Sequence, residues 1–124
     1  MLNMDDKKLI EKKSEELIRA EKLIDDDKLD EALTLLNNCE QKEGLTHHDK
    51  ASCHLLQCQI LFWQGNYKEL IKLAEQTYKE SEGLENSFLK VDSLLLMTHA
   101  LIRLGRFEEV FNLINQLISR VLVK

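Results

Sequence analysis

One six-residue phrase occurs three times in this chain, as Asp27-Lys28-Leu29-Asp30-Glu31-Ala32, Gly65-Asn66-Tyr67-Lys68-Glu69-Leu70 and Gly105-Arg106-Phe107-Glu108-Glu109-Val110. The copies lie 38 and then 40 residues apart, which marks a repeat array. In such arrays one supersecondary unit, too thin to bury its own apolar face, is stacked on further copies of itself. This constrains the architecture strongly. It points to a class of work, the holding of another molecule, without naming that molecule.

Composition bounds the rest. A chain of 124 residues with 44% apolar residues can bury one continuous core, so a single domain over residues 1–124 is expected. The formal charge of −5, from 17 basic and 22 acidic residues interspersed along the chain, excludes the basic face that a phosphate backbone requires. Nucleic acid and anionic membrane are therefore not expected partners. Residues 1–16 are dominated by charge rather than by a signal-peptide pattern, and no apolar run approaches the roughly 20 residues needed to span a bilayer. Three cysteines at irregular spacing suit reduced thiols better than a disulfide framework, so a cytoplasmic protein is expected.

The chain contains no proline, and its apolar residues recur at helical spacing. The expected fold class is all-α, with six helices in three hairpins. Leu9, Ile10, Leu17, Ile18, Ala20, Leu23 and Ile24 predict a first helix over residues 5–25, and Leu29, Ala32, Leu33, Leu35, Leu36 and Cys39 a second that runs to Glu43 before Gly44. Thr46 is a candidate N-cap for a third helix carrying Ala51, Leu55, Cys58, Leu61 and Phe62 up to Gly65. Tyr67, Leu70, Ile71, Leu73, Ala74 and Tyr78 follow on a fourth that stops near Gly83. Phe88, Val91, Leu94, Leu95, Thr98, Leu101 and Ile102 predict a fifth, and Phe107, Val110, Phe111, Leu113, Ile114, Leu117, Ile118 and Val121 a sixth. The units run over about residues 5–44, 46–83 and 85–122.

Superposing the units on their turns aligns Ala20 with Cys58 and Thr98, all small, and Leu23 with Leu61 and Leu101. Each first helix thus offers a notch followed by a knob on one face, which lets its antiparallel partner approach closely. Leu29, Tyr67 and Phe107 align just after each turn and are expected to plug the bottom of each hairpin.

At these residues the chain resembles the tetratricopeptide repeat family, over about residues 5–120. That family places a small residue in the first helix, a Gly-Asp/Asn-Tyr/Phe-x-Glu-Ala phrase at the turn and small residues in the second helix. The phrase at residues 65–69 matches best, and that at 105–109 nearly as well. Leu70 and Val110 depart from the family's alanine, its closing proline is missing, and the period exceeds its usual 34 residues. The resemblance implies a right-handed array of helical hairpins, a TPR-like α-solenoid, that binds peptides or proteins and is not an enzyme. Carrying the family's groove positions across implies a partner groove built from Leu17, Leu55, Gln59, Phe62, Trp63, Leu95, His99, Ile102 and Arg103, flanked by Ser14, Ile18, Glu21, Ser52, Leu56, Asp92 and Leu96. The lining is largely apolar, and the lysine and asparagine clamp of the family's chaperone-tail binders has no counterpart at these places.

Trp63 falls on the far side of its helix from Cys58 and could stand at the groove mouth as an anchor or be buried against the next unit. His47, His54 and Cys58 lie seven and four residues apart and would share a helix face, with His48 and Cys53 nearby and Cys39 on the preceding helix. That spacing matches no closed metal site, so no metal and no cofactor is expected. A regulatory domain sensing a ligand or metal through His47, His54, Cys58 or His99 is the alternative. Asp25-Asp26-Asp27 reads as a solvated turn, and no nucleophile-base pair, phosphate loop or paired-carboxylate pocket emerges.

The sixth helix carries Leu117, Ile118, Val121 and Leu122 where the preceding unit has Thr77, Tyr78, Ser81 and Glu82. Terminal repeats are ordinarily polar on their outer face, so this helix expects a cover. A second copy of the chain, a partner protein or a continuation of the array could each supply it. The expectation is a protein-interaction scaffold that holds a peptide or helix in its apolar groove and forms a homodimer through Leu117, Ile118, Val121 and Leu122.

Overall fold

The computed structural model describes residues 14–84 and 87–122, with the backbone alone at 87 and 120–122. The described residues form six α-helices and no strand: α1 (Glu15–Asp25), α2 (Leu29–Glu40), α3 (His47–Gln64), α4 (Tyr67–Glu82), α5 (Ser87–Arg103) and α6 (Phe107–Leu122). The all-α reading is correct, with two boundary corrections. Ser14 is extended and its hydroxyl accepts a 3.3 Å hydrogen bond from the Leu17 amide, so α1 starts at Glu15 rather than running through Ser14. Leu9, Ile10 and the rest of that predicted segment lie outside the described residues. Helix α2 ends at Glu40, three residues before the expected stop, and Gly44 takes its left-handed conformation (φ +77°) within the following loop. Thr46 caps α3 as expected, its hydroxyl accepting from the Asp49 amide at 3.0 Å.

The repeated phrase is a backbone device. At each of its three occurrences the residue that opens it is left-handed: Asp27 (φ 61°), Gly65 (φ 79°) and Gly105 (φ 73°). The next amide then reaches back five residues. Lys28 N–H donates to Leu23 O at 2.8 Å, Asn66 N–H to Leu61 O at 2.9 Å and Arg106 N–H to Leu101 O at 2.9 Å. The left-handed residue itself donates to the carbonyl three back, of Ile24, Phe62 and Ile102. This paired pattern is the Schellman closure, which satisfies carbonyls that a helix end would otherwise leave bare. The aligned leucines are therefore acceptors of the closing bond as well as knobs. Asp27 holds, with a Cβ, a conformation that glycine holds without steric cost. Asp27→Gly is expected to stabilise the chain by about 0.5–1 kcal/mol in a urea titration with unchanged slope, whereas Gly65→Asp should destabilise it by a similar amount.

The first helices of the hairpins, α1, α3 and α5, touch in succession. Helix α2 packs against both α1 and α3, and α4 against both α3 and α5. Among the described residues, helix α6 packs on α5 alone. One core cluster joins the first unit to α3 through Leu17, Ala20, Ala32, Leu36, Cys39, Cys53, Leu56 and Ile60. The second joins α3 and α4 to α5 and α6 through Cys58, Leu70, Ile71, Ala74, Leu94, Met97, Ala100, Leu101 and Val110. The notch residues Ala20 and Cys58 are fully buried, as close helix approach requires, and Thr98 is partly so. Leu29 and Tyr67 pack on their clusters from just beyond the turn, but Phe107 does not plug its hairpin: it is 56% exposed.

Candidate functional site

Three groupings of side chains stand apart from the apolar core. The first lies at the C-terminal ends of α3 and α5, which the Leu61 and Leu101 turns hold side by side. The Phe62 ring takes Trp63, Tyr67 and His99 edge-on at centroid separations of 5.5, 5.8 and 5.9 Å, and the Arg103 guanidinium lies 5.8 Å from its centroid. These are the separations at which the positive edge of one ring, or a cation, meets the negative face of another. Trp63 is 68% exposed, so its indole projects into solvent from a base fixed by its neighbours.

Of the predicted groove residues, the structure brings Phe62, Trp63, His99 and Arg103 together. Ile102 is exposed beside Arg103, Leu95 is exposed two turns earlier on α5, and Gln59 is partly buried one turn before Trp63 on α3. Leu17 and Leu55 are corrections. Leu17 is fully enclosed in the core between the first two hairpins, and Leu55 packs with Ala51 against Leu89 of α5, so neither lines an accessible groove. Both lie where adjacent first helices press together, and periodicity alone cannot separate that interface from the open face beside it.

The second grouping centres on a histidine satisfied between hairpins, with partners that the sequence did not name. His54 is buried on α3, and both ring nitrogens meet carboxylates from different hairpins: Nδ1 lies 2.8 Å from Glu80 Oε1 on α4, and Nε2 lies 2.7 Å from Glu40 Oε1 on α2. Both ring nitrogens are thus engaged by carboxylate oxygens, with donor and acceptor roles set by the tautomer. Gln57 extends the network, its amide donating at 3.2 Å to Glu40 Oε2 and to Asn37 Oδ1. Burial by itself would raise the Glu40 carboxyl, but hydrogen bonds from His54 and Gln57 and the His54 charge outweigh it and hold Glu40 below the usual carboxylate range. A histidine between Cys53 and Leu55 on a buried helix face was the available sequence signal. Its partners, 14 residues before and 26 after, follow no spacing rule.

The residues of the alternative reading are dispersed over the fold. His54 is saturated by glutamates, Cys58 is enclosed in the core, and His99 belongs to the aromatic grouping, so His47, His54, Cys58 and His99 do not converge. Among the described residues, no group of three or more histidine, cysteine, aspartate or glutamate side chains could hold a metal ion. Cys39, Cys53 and Cys58 are free, buried thiols. Burial pushes Cys53 and Cys58 up to about 12 and raises Cys39, which disfavours the nucleophilic thiolate at each.

The third grouping is a set of exposed apolar side chains on α5 and α6: Phe88, Val91, Leu95 and Ile102 on one, and Phe107, Phe111, Ile114 and Ile118 on the other. Of the four residues predicted to mediate self-association, Ile118 is exposed and Leu117 is partly buried against α5. The side chains of Val121 and Leu122 lie outside the described set. No helix of the described residues is long and apolar enough to cross a membrane. No family model matches the chain, and no curated protein and no solved structure matches it.

Proposed function

We propose that this chain is a non-enzymatic protein-interaction module of the tetratricopeptide type, its three hairpins wound as a right-handed solenoid. It holds an apolar peptide or helix across the α3 and α5 surface and associates with itself through its last helix. The succession of first helices, the second helices seated between them and the three identical turn closures support that architecture. Three unpaired thiols and the absence of a basic face support a cytoplasmic protein partner rather than nucleic acid or membrane.

The observation that carries the reading is the exposed Trp63, held on a ring-stacked base of Phe62, Tyr67 and His99 with Arg103 alongside. Aromatic and arginine side chains dominate binding energy because they offer a large contact area with little rotamer entropy to lose, and here that entropy is already reduced by ring contacts. Trp63 is the only tryptophan in the chain and reports directly on its own surroundings. Displayed random peptides selected against the full chain are expected to converge on sequences with two or more large apolar residues. Their binding should shift Trp63 emission to the blue and weaken at least tenfold in Trp63→Ala and in Ile102→Glu. Selected peptides that bind both variants as well as the native chain would remove this surface from the function.

A further inference from the structure

The exposed side chains of α5 and α6 fall into two heptad seams. Phe88, Val91, Leu95 and Ile102, with the half-buried Thr98 between the last two, are spaced 3-4-3-4, and Phe107, Phe111, Ile114 and Ile118 are spaced 4-3-4. A 3.5-residue period keeps apolar side chains aimed at a partner along a whole helix, which is the spacing of helices that pair seam to seam.

The chain itself shows what these positions are for. In the preceding hairpin, 40 residues earlier, the places of Val91, Leu95, Thr98 and Ile102 are taken by Ala51, Leu55, Cys58 and Phe62 on α3, and those of the α6 seam by Tyr67, Ile71, Ala74 and Tyr78 on α4, all of which pack into the clusters that α5 completes, while Phe88 stands at the place of the exposed His48. Leu55 is 7% exposed and its counterpart Leu95 46%; Ile71 is 8% exposed and Phe111 65%; Ala74 is fully buried and Ile114 40% exposed. The face of the third hairpin is therefore a further copy of an interface that the chain already buries, left open on helices of the same kind.

Charge selects the occupant. Residues 110–119 of α6 include no charged side chain, in a chain that is 31% charged. Such a strip can face its own copy across a two-fold axis without opposing like charges, and interface centres are depleted of charge for that reason. Head-to-tail stacking fails the same test. The positions by which α3 and α5 press on the preceding hairpin, Cys53, His54, Gln57 and Ile60 on α3 and Ser93, Leu94, Met97 and Ala100 on α5, correspond on α1 to Glu15, Glu16, Arg19 and Lys22. Stacking α1 of one copy on α6 of the next would set four charges against Phe111 and Ile114.

We propose that two copies of this chain pair through the open faces of their α5–α6 hairpins about a two-fold axis, forming a four-helix bundle in which Leu95 and Val91 of α5 take part together with Phe111, Ile114 and Ile118 of α6. This rests on the self-association reading above and extends it from the last helix to a two-helix face of defined symmetry. The test is the light-scattering mass of the full chain against concentration, for the native sequence, Leu95→Glu, Ile114→Glu, Phe111→Gln and Ile18→Glu, with helical content followed by circular dichroism. The native chain is expected at twice 14.5 kDa. Leu95→Glu and Ile114→Glu should each raise the dissociation constant at least about a hundredfold with helical content retained, Phe111→Gln should raise it less, and Ile18→Glu on the exposed face of α1 should leave it unchanged. A native monomer would overturn both the pairing and the self-association reading. A dimer weakened by Ile114→Glu but not by Leu95→Glu would overturn the two-helix face while leaving contact through α6 intact, and one weakened by Ile18→Glu would replace two-fold pairing with head-to-tail contact.

Discussion

Leu70→Ala is expected to lower stability by about 3 kcal/mol, or roughly 10 °C in Tm, although it installs the residue that the resembled repeat family uses at this place. Leu70 is fully buried, in the cluster where α3, α4 and α5 meet. Its counterparts in the other hairpins are Ala32, equally buried, and Val110, 7% exposed, so three side-chain volumes are accommodated at one repeat position. Each is packed by neighbours suited to it. Around Leu70 these include the small side chains Cys58, Ala74 and Ala100, none of which can expand to fill the space of a deleted isobutyl group. The loss is the transfer free energy of the removed methyl groups plus the energy of the cavity that stays behind. A urea titration with unchanged slope would register it as a shifted midpoint. If Leu70→Ala proved neutral or stabilising, the repeat consensus would be a better guide to this position than the packing around it.

His54→Ala is the second large effect, with an expected cost of about 2–3 kcal/mol at pH 7. The change leaves Glu40 and Glu80, each about a quarter to a third exposed, facing the vacated site without the ring that engaged and separated them. Their partial contact with water keeps the figure below that for a fully buried broken pair. The pH dependence has a definite sign. Glu40 sits below its ordinary value when folded, so its contribution is fully present above about pH 4.3, the unfolded carboxylate value, and is lost as pH falls through the lower folded value. The native chain should therefore lose stability on acidification more steeply than His54→Ala, and the two stability curves should converge in acid. Urea midpoints measured between pH 7 and pH 3 provide the comparison. Parallel curves would show that Glu40 is not held by His54.

The same residue explains why two hairpins of unequal composition act as one body. His54 on α3 reaches Glu40 in the first hairpin and Glu80 in its own, so the seam between units carries a directional contact besides its apolar cluster. No equivalent is available at the next seam, where Leu94 occupies the aligned position and the contact is apolar. The two seams are thus held by different chemistry: the first is sensitive to acid, and the second depends on close packing of Leu70, Ile71 and Ala74 against α5.

What could be read without coordinates was local. The three phrases announced three hairpin turns, and the backbone bonds from Lys28, Asn66 and Arg106 show why a left-handed residue was needed at each. Thr46 was legible as a cap because capping involves only the next three residues. The aligned small residues were legible because helices that approach closely need a notch at a fixed distance from the turn. Ser14 shows where this ran out. It fits an apolar-periodic helix as well as it fits a cap, and the choice went to the hydroxyl that could receive the Leu17 amide.

The sequence by itself determined the helices, their pairing into hairpins and the places where the chain reverses, since each depends on residues within a few turns of one another. Only the tertiary structure decided which apolar residues are core and which are surface. Leu55 and Leu95 are the same residue at the same repeat position, yet one lies beneath α5 and the other faces solvent, because burial depends on whether a further helix lies alongside. The Glu40–His54–Glu80 bridge is also tertiary: its three side chains sit on three helices, and no spacing along the chain encodes a meeting that depends on how those helices are set against one another.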